Sequence, residues 1–150
     1  MSLDKKLVDK LVNITSSASI ACYKFIGKND KISADKAATD EMRKKLNLLD
    51  IDGKVVIGEG ELDKAPMLYI GEKLGTGKGS SIDIAVDPLE GTNFAAQNLP
   101  GALSVICVAQ KSNLLNAPET YMNKISVNCT EPNVVDLDYS VKKNIYNLAE

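Results

Sequence analysis

The sequence contains no histidine. This absence excludes Ser-His and Cys-His nucleophile pairs, and every imidazole-bound metal, from the chain. Any catalytic chemistry must therefore rely on carboxylates, hydroxyls and metal ions bound through oxygen. Oxygen ligands favour the hard cations magnesium, manganese and calcium.

Long apolar runs and an excess of basic residues are also missing. The first residues lead into amphipathic sequence, so we expect no signal peptide and no transmembrane helix. The formal net charge of -2 offers no basic face for nucleic acid, and binding a phosphate ester would need a local source of positive charge. Cys22, Cys107 and Cys129 form no C-x-x-C pair, which predicts reduced, buried thiols. We expect a cytoplasmic protein that acts on neither nucleic acid nor membranes.

The length of 150 residues predicts one globular domain with its own core. Val141, Ile145 and Leu148 keep helical spacing up to the last residue, so the sequence ends inside or directly after a helix. We therefore predict that the domain spans residues 1–150 and is incomplete at its C-terminus.

Two amphipathic helices are predicted before residue 50. Apolar residues of the first recur at three- and four-residue steps, and Gly27 stands where this helix would end. Ser33 is the expected N-cap of the second helix, which places Asp35 in its first turn. The predicted buried faces are Leu7, Leu11, Ile14, Ala18, Ala21 and Phe25 in the first helix, and Ala38, Met42, Leu46 and Leu49 in the second.

Three segments have the composition of strands. A turn at Asp50–Gly53 leads into a β-branched strand at Lys54–Gly58. The next strand, 82–87, is expected to stop at Pro88, and the apolar run 102–109 is typical of a strand buried on both faces. We expect the last two to be central strands of a sheet. Further predictions are a short helix at 65–74 opened by Pro66, strands at Lys124–Val127 and Val134–Val135, and a helix beginning at Ser140.

The main chemical motif is Asp-Pro-Leu-Glu-Gly-Thr at residues 87–92. Pro88 stiffens the turn, so Asp87 can be directed from the end of a strand while Glu90 returns a second carboxylate to the same space. Gly91 permits close approach to the backbone, and N–H groups at a following helix start attract phosphate. The motif predicts a joint metal and phosphate site. The alternative is an ordinary strand end followed by an acidic helix start.

A second group of carboxylates, Glu59, Glu61 and Asp63, follows the strand at Lys54–Gly58. A bound cation would relieve their repulsion. The alternative is a solvated acidic loop, because exposed like charges repel only weakly in water. Asp35 taken alone is better explained as a charge in the first turn of a helix.

Four segments together resemble class II fructose-1,6-bisphosphatases. They are residues 31–35, 58–72, 83–92 and 115–122. The middle block is specific to that family, and the Asp-Pro-Leu-Glu-Gly-Thr motif is shared with the wider lithium-sensitive phosphatase superfamily. The resemblance implies a layered α/β sugar-phosphatase fold, with long helices packed on a mixed sheet in its N-terminal subdomain. It also implies Mg²⁺ or Mn²⁺ and hydrolysis of the 1-phosphate of fructose 1,6-bisphosphate, in gluconeogenesis; we further expect a homo-oligomer.

The resemblance also implies a role for individual residues. The metal ligands would be Asp35, Glu59, Asp87 and Glu90, and the catalytic residues would be Thr92, Asp63 and Glu61. Thr92 would position the attacking water, and Asp63 would take its proton. Substrate contacts would come from Glu90, Gly91, Thr92 and Tyr121.

The principal departure from the family is length, because family members continue with a second subdomain that completes the site. We therefore predict weak or absent turnover by this chain alone. Sedoheptulose 1,7-bisphosphate or another sugar phosphate is an alternative substrate, since these residues define metal binding more than sugar identity. A non-catalytic metal-binding or assembly fragment is the alternative from another class.

Overall fold

The computed structural model describes residues 5–59, 67–117 and 122–150. The backbone forms two compact units, Met1–Glu119 and Thr120–Glu150. The first contains the sheet and most of the predicted site residues. The expectation of one domain over 1–150 stays a prediction.

Two long helices open the first unit. Helix α1 spans Lys5–Tyr23 and helix α2 spans Lys31–Leu46. Both predicted apolar faces are confirmed in outline, because the residues at helical spacing are the ones removed from solvent. The buried residues are Leu11, Ile14, Ala18 and Cys22 in α1, and Ala34, Ala38, Thr39, Met42 and Leu46 in α2.

The predicted start of α2 is wrong by several residues. The N-cap is Asp30, whose side chain accepts a hydrogen bond from the Ser33 backbone N–H at 3.0 Å. Both residue types are good N-caps, and the earlier one forms the cap here. Ser33 therefore lies inside the helix, and Asp35 lies in the second turn.

The sheet has four strands: β1 at Ile51–Ile57, β2 at Lys73–Leu74, β3 at Ser80–Glu90 and β4 at Leu103–Gln110. Their order is β2-β1-β3-β4. Strands β1 and β3 are parallel, whereas β2 and β4 are antiparallel to their neighbours. The short helix α3, Thr92–Ala96, connects β3 to β4. Long helices packed on a mixed sheet confirm the predicted α/β class.

The core lies between the helices and one face of the sheet. Ile84 at the centre of β3 is paired with Val55 on one side and Val108 on the other, so the three side chains share that face. Met42 of α2 is fully buried with them. Burial of such side chains stabilises the fold by roughly 1.5–3 kcal/mol each.

Strand β4 does not have both faces buried, so that prediction is wrong for the described residues. Leu103 and Val105 are 59% and 43% exposed, and Cys107 is also exposed. The side chains that point to the opposite face of the strand, among them Ile106 and Val108, are partly buried and pack on the core. The strand is at the edge of the sheet and the helices cover only one face. Of the three thiols, only Cys22 is buried as predicted.

Two strand boundaries also differ from the predictions. Strand β1 begins at Ile51, inside the predicted turn, since its first residues pair with β3 from Ser80 onward. Strand β3 continues through Pro88 to Glu90. The register against β4 is irregular between Asp87 and Glu90, and such a bulge accommodates a residue that has no N–H to donate.

The predicted helix at 65–74 is wrong over residues 67–74, which form an irregular segment followed by β2. Its first two residues lie outside the described chain. In the second unit, helix α4 spans Val141–Ala149 and is capped by Ser140 as predicted. The strands predicted at Lys124–Val127 and Val134–Val135 are not formed. None of the helices in the described ranges is long and apolar enough to cross a membrane.

Candidate functional site

The candidate site lies where two parallel strands end. Ile57 of β1 pairs with Ala85 of β3, and each is followed two residues later by an acidic residue, Glu59 or Asp87. Because parallel strands share their carboxyl ends, both acidic residues emerge at the same edge of the sheet. This edge is where open α/β sheets commonly bind ligands.

The carboxyl group of Asp87 is strongly perturbed by its surroundings. The pKa of Asp87 is raised to about 7, mainly by burial. A hydrogen bond with the Glu90 side chain, the charge of Glu90 and the charge of Asp35 raise it further. A hydrogen bond from the Leu89 backbone N–H to Asp87 Oδ1, at 3.1 Å, opposes this rise only in part. The carboxyl of Asp87 is therefore held among negative groups in partial isolation from water.

Three of the four predicted metal ligands thus interact electrostatically, although Asp35 is far from the other two in sequence. Helix α2, which carries Asp35, packs on β3, which carries Asp87 and Glu90. Glu59 follows the adjacent strand. One oxygen of Asp35 and one of Glu59 are also shielded from solvent. Strand pairing and helix docking together determine this arrangement.

The donor set fits a hard cation, because it offers carboxylate oxygens at a partly dehydrated edge. Within residues 5–59, 67–117 and 122–150, however, no three Asp, Glu or Cys side chains lie close enough to hold a metal ion. The charge interactions of Asp87 with Glu90 and Asp35 are compatible with this finding, because charges interact over distances longer than the bonds from one metal ion to its ligands. The four-carboxylate ligand set stays a prediction.

Gly91 shapes the backbone directly after Glu90. Its φ of 77° is left-handed, and an added Cβ would lie 3.0 Å from Phe94 Cδ2. Glycine is therefore required for both conformation and space. The Gly91 carbonyl accepts a hydrogen bond from the Phe94 N–H at 2.8 Å, which closes the turn and makes Thr92 the first residue of α3.

The remaining predicted site residues are placed only in part. Thr92 is half-buried and immediately follows Gly91. Glu61, Asp63 and Tyr121 lie outside the described residues, so their roles stay predictions.

An ion pair between helix α2 and the residue before β2 was not predicted from the sequence. Arg43 of α2 donates from Nε to Glu72 Oε1 at 2.7 Å and from Nη2 to Glu72 Oε2 at 3.2 Å. Arg43 is the only arginine in the chain. This single arginine among many lysines could have indicated the ion pair, since arginine is preferred over lysine where a planar, bidentate contact with a carboxylate is needed.

A second missed carboxylate stabilises the turn after β4. Asp83 is only 5% exposed. It accepts hydrogen bonds from the backbone N–H groups of Asn113 and Leu114 at 3.1 and 3.3 Å. These bonds satisfy a carboxylate that would otherwise be costly to bury.

Fold and site together define an α/β protein with a carboxylate site at the carboxyl edge of its sheet. The family described as bacterial fructose-1,6-bisphosphatase, glpX-encoded, matches residues 5–150. The chain belongs to this family.

Curated relatives agree with this assignment. Fructose-1,6-bisphosphatase 1 class 2 of Escherichia coli K12 is 48% identical over 145 residues, which are 97% of this chain and 43% of the relative. A Synechococcus protein (strain CC9902) named D-fructose 1,6-bisphosphatase class 2/sedoheptulose 1,7-bisphosphatase is 43% identical over 99% of this chain and 44% of its own length. The chain thus spans less than half of these relatives.

Among solved structures, an extragenic suppressor from Pyrococcus furiosus is similar to 71% of this chain and 41% of its own, with a TM-score of 0.49 and 18% sequence identity.

Proposed function

We propose that this chain forms the metal- and phosphate-binding part of a fructose-1,6-bisphosphatase. The reaction would release the 1-phosphate and leave fructose 6-phosphate. The observation that carries the proposal is the meeting of Asp87 with Glu90 and Asp35 at the sheet edge, in a chain that belongs to the bacterial fructose-1,6-bisphosphatase family. A carboxyl pKa near 7 means that burial and the neighbouring negative charges disfavour the ionised form of Asp87. A bound cation would offset these charges and so favour the ionised carboxylates.

Asp35, Glu59, Asp87 and Glu90 would hold Mg²⁺ or Mn²⁺ through oxygen atoms. Such a cation, when bound, acidifies water and neutralises phosphoryl oxygens. Cation binding would also relieve the repulsion that raises the pKa of Asp87. The acidic residues therefore supply a site for the positive charge that a net-negative chain needs to approach a phosphate ester.

The remaining steps would use side chains after the two strands. Thr92 would orient a water for in-line attack on phosphorus, and Asp63, with Glu61 nearby, would accept the proton of that water. The bond from phosphorus to the sugar oxygen breaks, and the leaving oxygen gains a proton. Thr92 directly follows the left-handed turn at Gly91 and begins α3, two residues after Glu90, which supports this assignment. Tyr121 would contact the sugar phosphate.

The direct test is a chimaera in which this chain replaces the matching 43% of the Escherichia coli relative. We expect Mn²⁺-dependent phosphate release from fructose 1,6-bisphosphate by the chimaera, and weak or no release by the chain alone. Asp87→Asn in the chimaera should lower kcat by at least ~10²-fold. Lys44→Ala on the exposed side of α2 is the matched control, with activity unchanged. A folded chimaera that binds Mn²⁺ but releases no phosphate would contradict the proposal.

Sedoheptulose 1,7-bisphosphate is the second candidate substrate, because the Synechococcus relatives are named for both activities. The same assay with both sugars separates the alternatives. Comparable kcat/KM values would indicate a dual enzyme, and a ratio above ~100 would indicate a fructose-specific one.

We also propose a cytoplasmic location and a homo-oligomeric state. Three free cysteines support the first, since cytoplasmic proteins keep their thiols reduced. The exposed apolar residues Leu103 and Val105 on β4 support association, either with another copy or with the further length that the relatives possess. Light scattering with and without Mn²⁺ tests the oligomeric state. If the chain binds Mn²⁺ but the chimaera is inactive, the non-catalytic binding fragment is the better description.

A further inference from the structure

Residues 67–72 return alongside β1. The Gly71 N–H donates to the Val55 carbonyl at 2.8 Å, and the Val55 N–H donates to the Glu72 carbonyl at 2.9 Å. Beyond the end of β1, the Glu59 N–H donates to the Leu68 carbonyl at 3.1 Å. The backbone position of Glu59 therefore depends on this returning segment.

The contact is close as well as hydrogen-bonded. An added Cβ at Gly58 would lie 2.2 Å from the Leu68 carbonyl oxygen, so the two backbones touch. The Leu68 side chain is fully buried. A shift of residues 67–72 would therefore also move the backbone at Glu59, because the two segments are closely packed and leave no space between them.

The Arg43 guanidinium fastens the same segment to α2. Besides its two bonds to the Glu72 carboxylate, its Nη2 donates to the Met67 carbonyl. Glu72 Oε2 also accepts from the Tyr69 N–H at 3.3 Å. Residues at both ends of the segment are thus held by one side chain, and Glu72 is only 8% exposed.

Lysine could not replace this contact. A planar guanidinium offers parallel donors in a fixed fork, whereas an ammonium group is a single point of charge. The hydrogen bond with Glu72 also raises the pKa of Arg43 above its ordinary value, so the guanidinium stays charged. The exposed pairs on α2, such as Lys36 with Asp40, have no such geometry.

Arg43 is on the same helix as Asp35, eight residues or about 12 Å further along. The helix that carries one predicted metal ligand is therefore joined, through Glu72, to the segment that holds another, Glu59. Neither side chain of the pair belongs to the predicted ligand set, so its effect on the site is indirect.

We propose that Arg43 and Glu72 are positioning residues that set the placement of Glu59 relative to Asp35, and so the metal affinity of the site. The part about metal affinity rests on the proposed function. The part about placement does not.

The test compares Arg43→Lys and Glu72→Gln with Leu11→Ala in the 150-residue chain. Leu11 is a buried residue of α1, so its truncation lowers stability through the core rather than through the ion pair. Lys44→Ala serves as the neutral control on α2. Two quantities are measured: amide hydrogen exchange by NMR, and Mn²⁺ affinity from the free Mn²⁺ signal in electron paramagnetic resonance.

In the Arg43→Lys and Glu72→Gln variants, we expect exchange at the Glu59 and Gly71 amides to accelerate at least tenfold more than in the β3–β4 ladder. Mn²⁺ affinity should fall at least tenfold. In Leu11→Ala, exchange should rise throughout the fold, with Mn²⁺ affinity changed less than twofold.

An unchanged Glu59 amide in Arg43→Lys would overturn the proposal. So would an equal loss of Mn²⁺ affinity in Arg43→Lys and Leu11→Ala, because that would show a merely structural role. If the parent chain binds no Mn²⁺, the proposed metal site fails, while the exchange measurement still decides whether the ion pair places Glu59.

Discussion

Replacing Asp87 by asparagine should stabilise the metal-free protein at alkaline pH. The pKa of Asp87 rises from 3.8 to about 7 on folding, mainly through burial and then through Glu90 and Asp35. The folded state therefore holds this proton more tightly than the unfolded state. The resulting stability is fully present below pH ~4 and is lost as the pH rises through ~7. Asparagine keeps the shape and removes the charge.

The expected size follows from the same pKa. At ~1.4 kcal/mol for each tenfold change in proton affinity, the upper limit is ~4 kcal/mol. Asp87 is only half-buried, so solvent screening reduces the effect to ~1–2 kcal/mol. At pH 8 in EDTA this corresponds to a rise in Tm of about 2–8 °C for Asp87→Asn. At pH 4 the difference in Tm should shrink to ~2 °C or less, because the carboxyl is then protonated in the folded state and only partly ionised in the unfolded state.

At pH 8, Mn²⁺ should make the unsubstituted protein more stable than Asp87→Asn. A ligand present at a hundred times its Kd stabilises the folded state by ~2.7 kcal/mol. The parent should gain this amount at pH 8, whereas Asp87→Asn should gain little because one ligand is lost.

The assay is thermal unfolding followed by circular dichroism at both pH values, with EDTA or Mn²⁺. Asp9→Asn makes the same chemical change on the exposed side of α1 and should alter stability by less than ~0.5 kcal/mol under each condition. If Asp87→Asn gains no stability at pH 8 relative to pH 4, the carboxylates are not crowded as described, and the argument for a cation site loses its physical basis.

Three further substitutions probe the fold around the site. Gly91→Ala should destabilise the chain by ~1–3 kcal/mol in urea unfolding, since alanine at φ 77° is strained and its Cβ would press on Phe94; Gly101→Ala also has positive φ but meets Phe94 no closer than 3.6 Å, and should cost less. Asp30→Ala should cost ~1 kcal/mol and fray the first turn of α2, seen as faster amide exchange at Ser33, whereas Asp30→Asn should cost less than half as much. Met42→Ala should cost ~2–5 kcal/mol by leaving a cavity in the core, and unchanged thermal stability would show that the helix does not pack on the sheet as described.

The helical faces were predictable because their signal is local. Leu11, Ile14 and Ala18 repeat at the spacing that brings side chains to one side of a helix, whatever the helix later packs against. The left-handed turn at Gly91 was signalled in the same way by residue type. Where two neighbouring residues could serve as a cap, as Asp30 and Ser33 can, sequence alone did not decide between them.

The faces of the strands were less predictable. The apolar run at 102–109 suggested burial on both sides, yet Leu103 and Val105 are exposed in the described structure. A strand's composition reflects everything that covers it in the whole protein, and this chain spans less than half of its relatives. The extension of β1 into a predicted turn likewise depended on its pairing with β3.

The sequence by itself determined the kind of chemistry available. Without histidine, and with acidic residues after two predicted strands, it restricted the site to carboxylates and hard cations. The tertiary structure decided which of these groups meet. Asp35 approaches Asp87 because α2 docks on β3, and Arg43 finds Glu72 across 29 residues because the returning segment lies against the same helix. Such contacts join positions that no local period relates, so only the packing of the whole sheet and its helices brings them together.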